Sequence, residues 1–300
     1  MDMLGELKFH LWEYADNVIQ QDEEVAYREL LWYKEAGGGT ICDNSSYGLR
    51  GKPSCLRALS ERTGVHIVLG TGGYLSRTLP PEIGAMDKYE MAELLIRNIR
   101  EGLDGSDLQC GFLGEIGVES RLPASSYRSI AAAALAQRET GAAILIHQPG
   151  TERQADGIFK IITDHGGDLT RTVMCHCDPL LPDHEYIDHI AKSGAYISFD
   201  FFGLEAMLGK RFWLPTDHER IVAIEKQIAR GNLSRLVISH DTAYKSMLRQ
   251  FGGFGYGHIP RNIIPIMLAN GYEREWIEEI TAKNPREIFS LDSERVARSH

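Results

Sequence analysis

Four short apolar segments of the chain each lead into a side chain that can bind a metal ion or carry a proton. Glu115 closes the segment GFLGE, His147 closes AILIH, His176 closes TVMCH, and Asp241 follows RLVISH. A carboxylate or imidazole in an apolar strand is unfavourable unless it has a partner. Two carboxylates and two imidazoles brought to one place would form a ligand set for a divalent metal such as zinc.

The spacing of these residues is regular. Glu115 and His147 are 32 residues apart, His147 and His176 are 29 apart, and His176 and Asp241 are 65 apart, with a further apolar segment at 195–199 between the last two. One strand–helix–strand unit takes about 30 residues. All four side chains are therefore expected at the carboxyl ends of strands in one array.

Seven apolar runs are predicted to form buried parallel strands, because they are short, rich in β-branched residues and apolar on both faces. They lie at 40–43, 66–70, 111–116, 143–147, 172–176, 195–199 and 235–240. Amphipathic stretches at 21–36, 89–100, 127–140 and 221–229 predict helices between them. The alternation indicates a parallel α/β fold.

The leading architecture is a (β/α)8 TIM-type barrel formed by residues 1–300 as one domain, since that fold usually takes about 250 residues. A doubly wound sheet is the alternative, but no GxGxxG turn follows the first strand. In a barrel the carboxyl ends of the strands converge on one mouth, where active sites lie. Only seven strands are found, and residues 1–20 show no convincing strand, so the first strand is expected to be atypical or absent.

The neighbours of two candidate ligands raise the question of which face they occupy. Adjacent strand residues point to opposite faces, so Cys175 and Cys177 are predicted to point toward the helices if His176 points inward. By the same rule one of His240 and Asp241 points inward. An acid beside a strand-end histidine could also act as a base or as an orienting group.

Charge and composition restrict the class of protein. There are 42 acidic and 32 basic residues, a net charge of −10, and no dense basic run, which argues against a nucleic-acid partner. No apolar run reaches the roughly 18 residues of a membrane span, and the first residues do not resemble a signal peptide. Five cysteines without a disulfide-framework spacing are typical of a reducing cytoplasm. We expect a cytoplasmic protein with a small-molecule substrate and no membrane partner.

At these residues the sequence resembles the phosphotriesterase-related family of the amidohydrolase superfamily. The resemblance runs over essentially the whole chain, and its strength lies in the order and spacing of several short motifs. These are LGEIG at 113–117, IHQPG at 146–150, HCD at 176–178, ISHD at 238–241, GGFGYGH at 252–258 and NPR at 284–286. The resemblance implies a (β/α)8 barrel with a one- or two-metal hydrolase site, and a homodimer.

The resemblance also implies roles for individual residues. Glu115 would bridge two metal ions, His147 and His176 would bind the more exposed ion, and Asp241 would bind the other and manage protons, in one version through His240. Tyr74 matches a position where a tyrosine faces the substrate, and His240 is expected beside the substrate as well. A metal-activated hydroxide would then attack a small ester, lactone, amide or phosphoester. The glycines of residues 252–258 predict either a mobile lid or tight turns at the pocket.

The sequence departs from the family pattern at two points. Glu115 stands where phosphotriesterases proper carry a carboxylated lysine, and the glutamate variants resemble amide or lactone hydrolases instead. The His-x-His pair of the family's first strand is not found, so the chain is expected to begin downstream of the family's usual start. Two alternatives follow: a degenerate member that binds a ligand or partner with little or no turnover, and a TatD-like nuclease, which shares the Gly-Glu-Ile-Gly bridge but usually has Thr-Asp in place of His240 and Asp241.

Overall fold

The computed structural model describes residues 3–181, 183–209 and 211–291. Its centre is a parallel sheet of seven strands, and two further strands form a separate antiparallel hairpin. The strands are β1 Thr40–Asp43, β2 His66–Thr71, β3 Phe112–Gly117, β4 Ile144–His147, β5 Thr172–Cys175, β6 Tyr196–Phe199, β7 Met207–Leu208, β8 Phe212–Trp213 and β9 Leu236–Ile238. The strands of the main sheet lie in the order β1-β2-β3-β4-β5-β6-β9, and β7 pairs with β8. The seven predicted strands are confirmed, with ends that differ from the prediction by at most two residues.

Helices follow most of the strands and cover the outer face of the sheet. They are α1 Leu4–Leu7, α2 Glu23–Glu35, α3 Pro53–Thr63, α4 Pro81–Ala85, α5 Lys88–Arg100, α6 Ala124–Thr140, α7 Ala155–Asp164, α8 His184–Lys192, α9 Asp217–Ala229, α10 Ile264–Ala269, α11 Arg274–Glu278 and α12 Asn284–Phe289. Capping boxes at Asp87 and Thr216 satisfy backbone N–H groups at the starts of α5 and α9. The apolar sides of these helices join Ile116, Ile146 and Met174 in the main core.

The inner face of the sheet has its own apolar cluster, and this cluster shows that the sheet is curled. It contains Phe112 of β3 and Tyr196 of β6, with Cys42 of β1 and Val237 of β9 packed against it. Strands from opposite edges share one cluster only if the sheet bends toward a barrel. In the described residues no strand pairs with the outer edge of β1 or β9, which agrees with the prediction of a barrel-type fold without a regular first strand.

Residues 3–22 pack across the carboxyl end of the sheet. The side chain of Asn17 accepts a hydrogen bond from the backbone N–H of Ser246 at 2.9 Å, and Gln20 donates to the carbonyl of Thr242 at 3.0 Å. Leu11 is buried in a cluster that includes Phe201. The segment therefore forms part of the wall around the mouth, where the loops after β6 and β9 also lie.

The two cysteines beside His176 lie on different faces. Cys177 is in the main core against the helices, as predicted. The prediction for Cys175 was wrong, because this residue packs in the inner cluster with Leu145 and Val173. His176 has a φ of +58°, so the backbone turns between Cys175 and His176 and the strict alternation of faces ends there.

Within the described ranges, no helix combines the length and the apolar character needed to cross a membrane.

Candidate metal centre

Three of the four predicted ligands meet at the mouth of the sheet. Nδ1 of His147 lies 2.8 Å from Nε2 of His176, and the two carboxylate oxygens of Glu115 lie 3.0 Å from Nε2 of His176 and 3.4 Å from Nδ1 of His147. One ligand atom from each residue lies within 4.8 Å of the others. Because zinc ligand bonds are about 2 Å long, atoms bound to one ion lie about 3 Å apart. The group therefore has the dimensions of a single-cation site.

Burial and charge act together on this group. Glu115 is 5% exposed and His176 is 4% exposed. Burial alone would raise the pKa of Glu115, but the charges of His147 and His176 lower it well below its usual range. Burial would likewise lower the pKa of His176, but Asp200 and Glu115 hold it well above its usual value. The raised pKa favours the protonated form of His176, and metal binding to this ring would release a proton.

Asp200, which follows β6, orients His176. One carboxylate oxygen lies 2.8 Å from Nδ1 of His176, and both oxygens accept from the backbone N–H of His176 at 3.1 and 3.0 Å. With a metal ion bound, this contact would hold the proton on Nδ1 so that Nε2 is the atom that binds the ion, as in many carboxylate–histidine–metal arrangements. Phe201 stacks on the face of the imidazole, with 4.7 Å between ring centroids. The sequence interpretation missed Asp200, although this residue also follows an apolar strand.

Tyr74 lies beside His147. The phenol oxygen is 3.4 Å from Nε2 of His147, and the two rings meet edge to face at 4.9 Å. If Nδ1 of His147 binds the ion, Nε2 is the nitrogen that carries the proton and donates it toward Tyr74. The tyrosine thus supports a candidate ligand at the place where the sequence predicted a group facing the substrate.

Asp241 follows β9 and lies outside the close group of three, but the charges of Glu115 and His176 affect its pKa. Burial raises the pKa of Asp241 to about 7, the positive charge of His176 opposes this, and the negative charge of Glu115 adds to it. A carboxyl group with such a pKa can take up and release a proton near neutral pH. The structure therefore places the predicted proton carrier near the three candidate ligands, and its role as a ligand stays a prediction.

His240 has a different environment from the one predicted. Its Nε2 atom accepts a hydrogen bond from the backbone N–H of Ile259 at 3.0 Å. Burial and the nearby positive charge of His258 lower the pKa of His240 to about 3. The lone pair of the ring is thus occupied and the ring stays neutral, so transfer of a proton from Asp241 through His240 does not fit this geometry.

Residues 252–258 form tight turns. Gly252 has a φ of +96°, and a Cβ atom on Gly253 would overlap the backbone of Met247. Just before these turns, the side chain of Glu29 in α2 accepts a hydrogen bond from the backbone N–H of Gln250 at 2.9 Å. Of the two predicted roles for these glycines, the geometry supports tight turns.

Comparison with known proteins gives one family over nearly the whole chain. The sequence model described as "Phosphotriesterase family" matches residues 7–289. A "Phosphotriesterase-related protein" of Nematostella vectensis is 35% identical over 291 residues, which cover 95% of this chain and 83% of that protein. An "N-acetyltaurine hydrolase" of Danio rerio is 33% identical with the same coverage, and the Homo sapiens protein of that name is 33% identical over 93% of this chain and 81% of its own length.

Solved structures agree with this result. A resiniferatoxin-binding protein from Rhodobacter sphaeroides has a TM-score of 0.94 at 32% identity, over 97% of this chain and 81% of that one. A phosphotriesterase homology protein from Escherichia coli, with phosphate in its active site, has a TM-score of 0.84 at 25% identity, with 94% of each chain covered. A lactonase from Listeria monocytogenes has a TM-score of 0.83 at 24% identity, over 93% of this chain and 89% of that one, and shows likeness of fold alone.

Proposed function

This chain belongs to the phosphotriesterase family and is a metal-dependent hydrolase, and we propose that it cleaves the amide bond of a small N-acylated amine. The observation that carries this proposal is the close approach of Glu115, His147 and His176. Relatives about one-third identical over more than four-fifths of their length are named N-acetyltaurine hydrolase. A carboxylate at position 115, where triesterases carry a modified lysine, also favours an amide over a phosphotriester.

The chain's own residues can carry the proton steps of amide cleavage. A divalent metal held by Glu115, His147 and His176 would supply an acidified water and polarise the scissile carbonyl. Asp241 takes a proton from the attacking water and returns it to the nitrogen that leaves. Asp200 keeps His176 in the tautomer that binds metal. Tyr74 contacts Nε2 of His147, the ring nitrogen that faces away from His176.

An arginine near the mouth supports a substrate with an anionic end. Arg77 is exposed and lies three residues after Tyr74. Burial and the negative charges of Glu115 and Asp241 raise the pKa of Tyr74, and the positive charge of Arg77 acts in the opposite direction with a smaller effect. Its guanidinium group forms no ion pair with any of the described residues. A sulfonate or carboxylate on the amine half of the substrate would complement this cation.

We further propose that the ion is zinc, because two imidazoles and a carboxylate are a common zinc ligand set. The three atoms in close contact fit one ion per chain. The five cysteines are all free, which supports a cytoplasmic location, and a homodimer is proposed from the family resemblance alone.

The test is hydrolysis by the purified chain before and after removal of metal. N-acetyltaurine and N-acetylglycine would be offered with zinc, and acetate release would be measured. We expect turnover with zinc, loss of turnover with a chelator, and recovery when zinc is restored. Turnover that persists in the stripped protein would contradict the proposal.

A second candidate is ligand binding with little turnover. The R. sphaeroides protein, which is 32% identical, is named for binding a ligand. Calorimetric binding of the same two amides without acetate release would favour this alternative.

A further inference from the structure

A buried ionic network lies behind the candidate metal centre. Arg220 of α9 is fully buried, at 0% exposure. Its Nε donates to Asp178 at 2.5 Å, its Nη1 to Asp217 at 2.8 Å, and its Nη2 to the carbonyl of Leu204 at 2.9 Å. We propose that Arg220 is a positioning residue for the metal centre, acting through Asp178 and Asp200 on His176; this rests on the proposed function, since it assumes that His176 binds metal.

Asp178 connects the arginine to the turn after β6. Its side chain is fully buried and accepts hydrogen bonds from the backbone N–H groups of Asp200 at 3.0 Å and Phe201 at 3.4 Å. The side chains of these two residues both contact the ring of His176: the Asp200 carboxylate lies 2.8 Å from Nδ1, and Phe201 stacks on the ring face. A movement of this turn would therefore move both supports of His176.

The guanidinium group is what allows Asp178 to be charged in this place. An aspartate removed from water is strongly unfavourable without a cation and hydrogen bonds. Loss of Arg220 would remove the 2.5 Å contact that fixes the carboxylate of Asp178. The hydrogen bonds that this carboxylate accepts from the backbone N–H groups of residues 200 and 201 would then weaken.

The second carboxylate extends the network to another loop at the mouth. Asp217 accepts the backbone N–H of Gly203 at 2.9 Å, and its other oxygen lies 2.7 Å from Nε2 of His258. Arg220 thereby ties residues 200–204 to the turns that end at His258. One buried side chain fixes two loops around the site relative to each other.

The direct readout is metal affinity, which a merely structural residue would not alter. Loss of an outer partner of a metal ligand typically weakens metal binding about 10- to 100-fold. Arg220 acts one step further out, through Asp178 and the turn that carries Asp200, so we expect Arg220→Met to raise the zinc Kd by about 10-fold, the lower end of this range, in chelator competition. We also expect it to change the visible absorption spectrum of the cobalt-substituted protein. Arg220→Lys keeps the positive charge but can form fewer hydrogen bonds. The zinc Kd of this variant should therefore lie between that of Arg220→Met and that of the wild type.

Gln227→Leu is the matched control. Gln227 is also fully buried, lies on the same helix, and donates to the carbonyl of His184 at 3.2 Å, away from the candidate centre. It should lower the midpoint of unfolding but leave the zinc Kd and the cobalt spectrum unchanged. If Arg220→Met does not fold, Asp217→Asn replaces it, and a smaller rise in Kd is expected because Arg220 loses a charged partner.

The outcomes separate this inference from the proposed function. A wild-type chain that binds no zinc would contradict the proposed function itself. Wild-type binding of zinc with an unchanged Kd in Arg220→Met, or in Asp217→Asn if that variant is needed, would overturn only the role of Arg220. A rise in Kd that Gln227→Leu reproduces would also overturn it.

Discussion

His147 and His176 approach each other through different ring nitrogens, with Nδ1 of His147 2.8 Å from Nε2 of His176. The outer nitrogens of the two rings have other partners, since Nε2 of His147 faces Tyr74 and Nδ1 of His176 faces Asp200. The outer nitrogen of each ring therefore has a fixed partner, and the inner nitrogen of each ring is directed at the centre, where it would bind an ion. This arrangement is suited to a metal ion, because outer hydrogen bonds fix the ring orientation of ligating histidines.

His176→Ala should abolish metal-dependent hydrolysis. It should also lower zinc affinity by more than the roughly 10- to 100-fold that is typical when a hydrogen-bond partner of a metal ligand is lost. The physical reason is loss of a nitrogen that lies between Glu115 and His147. Acetate release and zinc competition would measure both effects.

Cys175→Ala is the control for this change, because the cysteine adjoins His176 but packs in the inner cluster. It should lower the free energy of unfolding by about 0.5–3 kcal/mol and leave the zinc Kd unaltered. The assignment of faces would be wrong if the cysteine variant lost zinc and the histidine variant kept it.

Much of this arrangement could be predicted from the strands alone. Glu115, His147 and His176 were identified because each ends an apolar run, and parallel strands bring such ends together. Asp200 shows the same signal and was missed. The face of Cys175 could not be read from alternation, because the turn at His176, with φ +58°, depends on contacts made after the strand ends.

The remaining features depend on contacts between residues far apart in the chain. The packing of residues 3–22 at the mouth involves partners such as Gln20 and Thr242, which are 222 positions apart. The occupied lone pair of His240 depends on the backbone N–H of Ile259. No local pattern specifies such pairs. The regular strands, in contrast, follow from short-range apolar sequence.

Arg77→Ala should raise KM for N-acetyltaurine and change kcat little, since the proposed contact is with the far end of the substrate rather than with the scissile bond. A neutral N-acetylated amine should show no such change in KM. Steady-state kinetics with both substrates measures the difference. Equal effects on the charged and the neutral substrate would contradict the role given to Arg77.

Tyr74→Phe should weaken zinc binding by no more than the roughly 10-fold lower limit for an outer partner, because the ring contact with His147 at 4.9 Å remains and only the hydroxyl is lost. Tyr74→Ala removes both contacts and should have the larger effect. Zinc competition on the two variants gives the comparison. If both variants bound zinc like the wild type, Tyr74 would have no part in orienting His147.

Asp217 should contribute to the pH dependence of stability. Burial acts to raise its pKa, but the hydrogen bonds from His258 and from the backbone of Gly203 and the charge of Arg220 outweigh burial and lower the pKa. Because the folded-state pKa lies below the unfolded value of about 3.9, this stabilisation is present above that pH and is lost as pH falls through the folded-state pKa.

Urea unfolding of wild type and Asp217→Asn between pH 3 and pH 7 would measure this contribution. The difference in unfolding free energy between the two proteins should shrink as the solution is acidified. A difference that stayed constant over the whole range would show that the charge of Asp217 does not stabilise the fold.

The most direct test of the metal centre is the zinc content at saturation, measured by mass spectrometry on the wild type and on a Glu115→Ala/His147→Ala/His176→Ala triple variant. The three side chains converge on a space of single-ion size, so the wild type should bind one zinc ion per chain and the folded triple variant none. A wild type without zinc, or a triple variant that keeps a full equivalent, would contradict a metal centre at these residues.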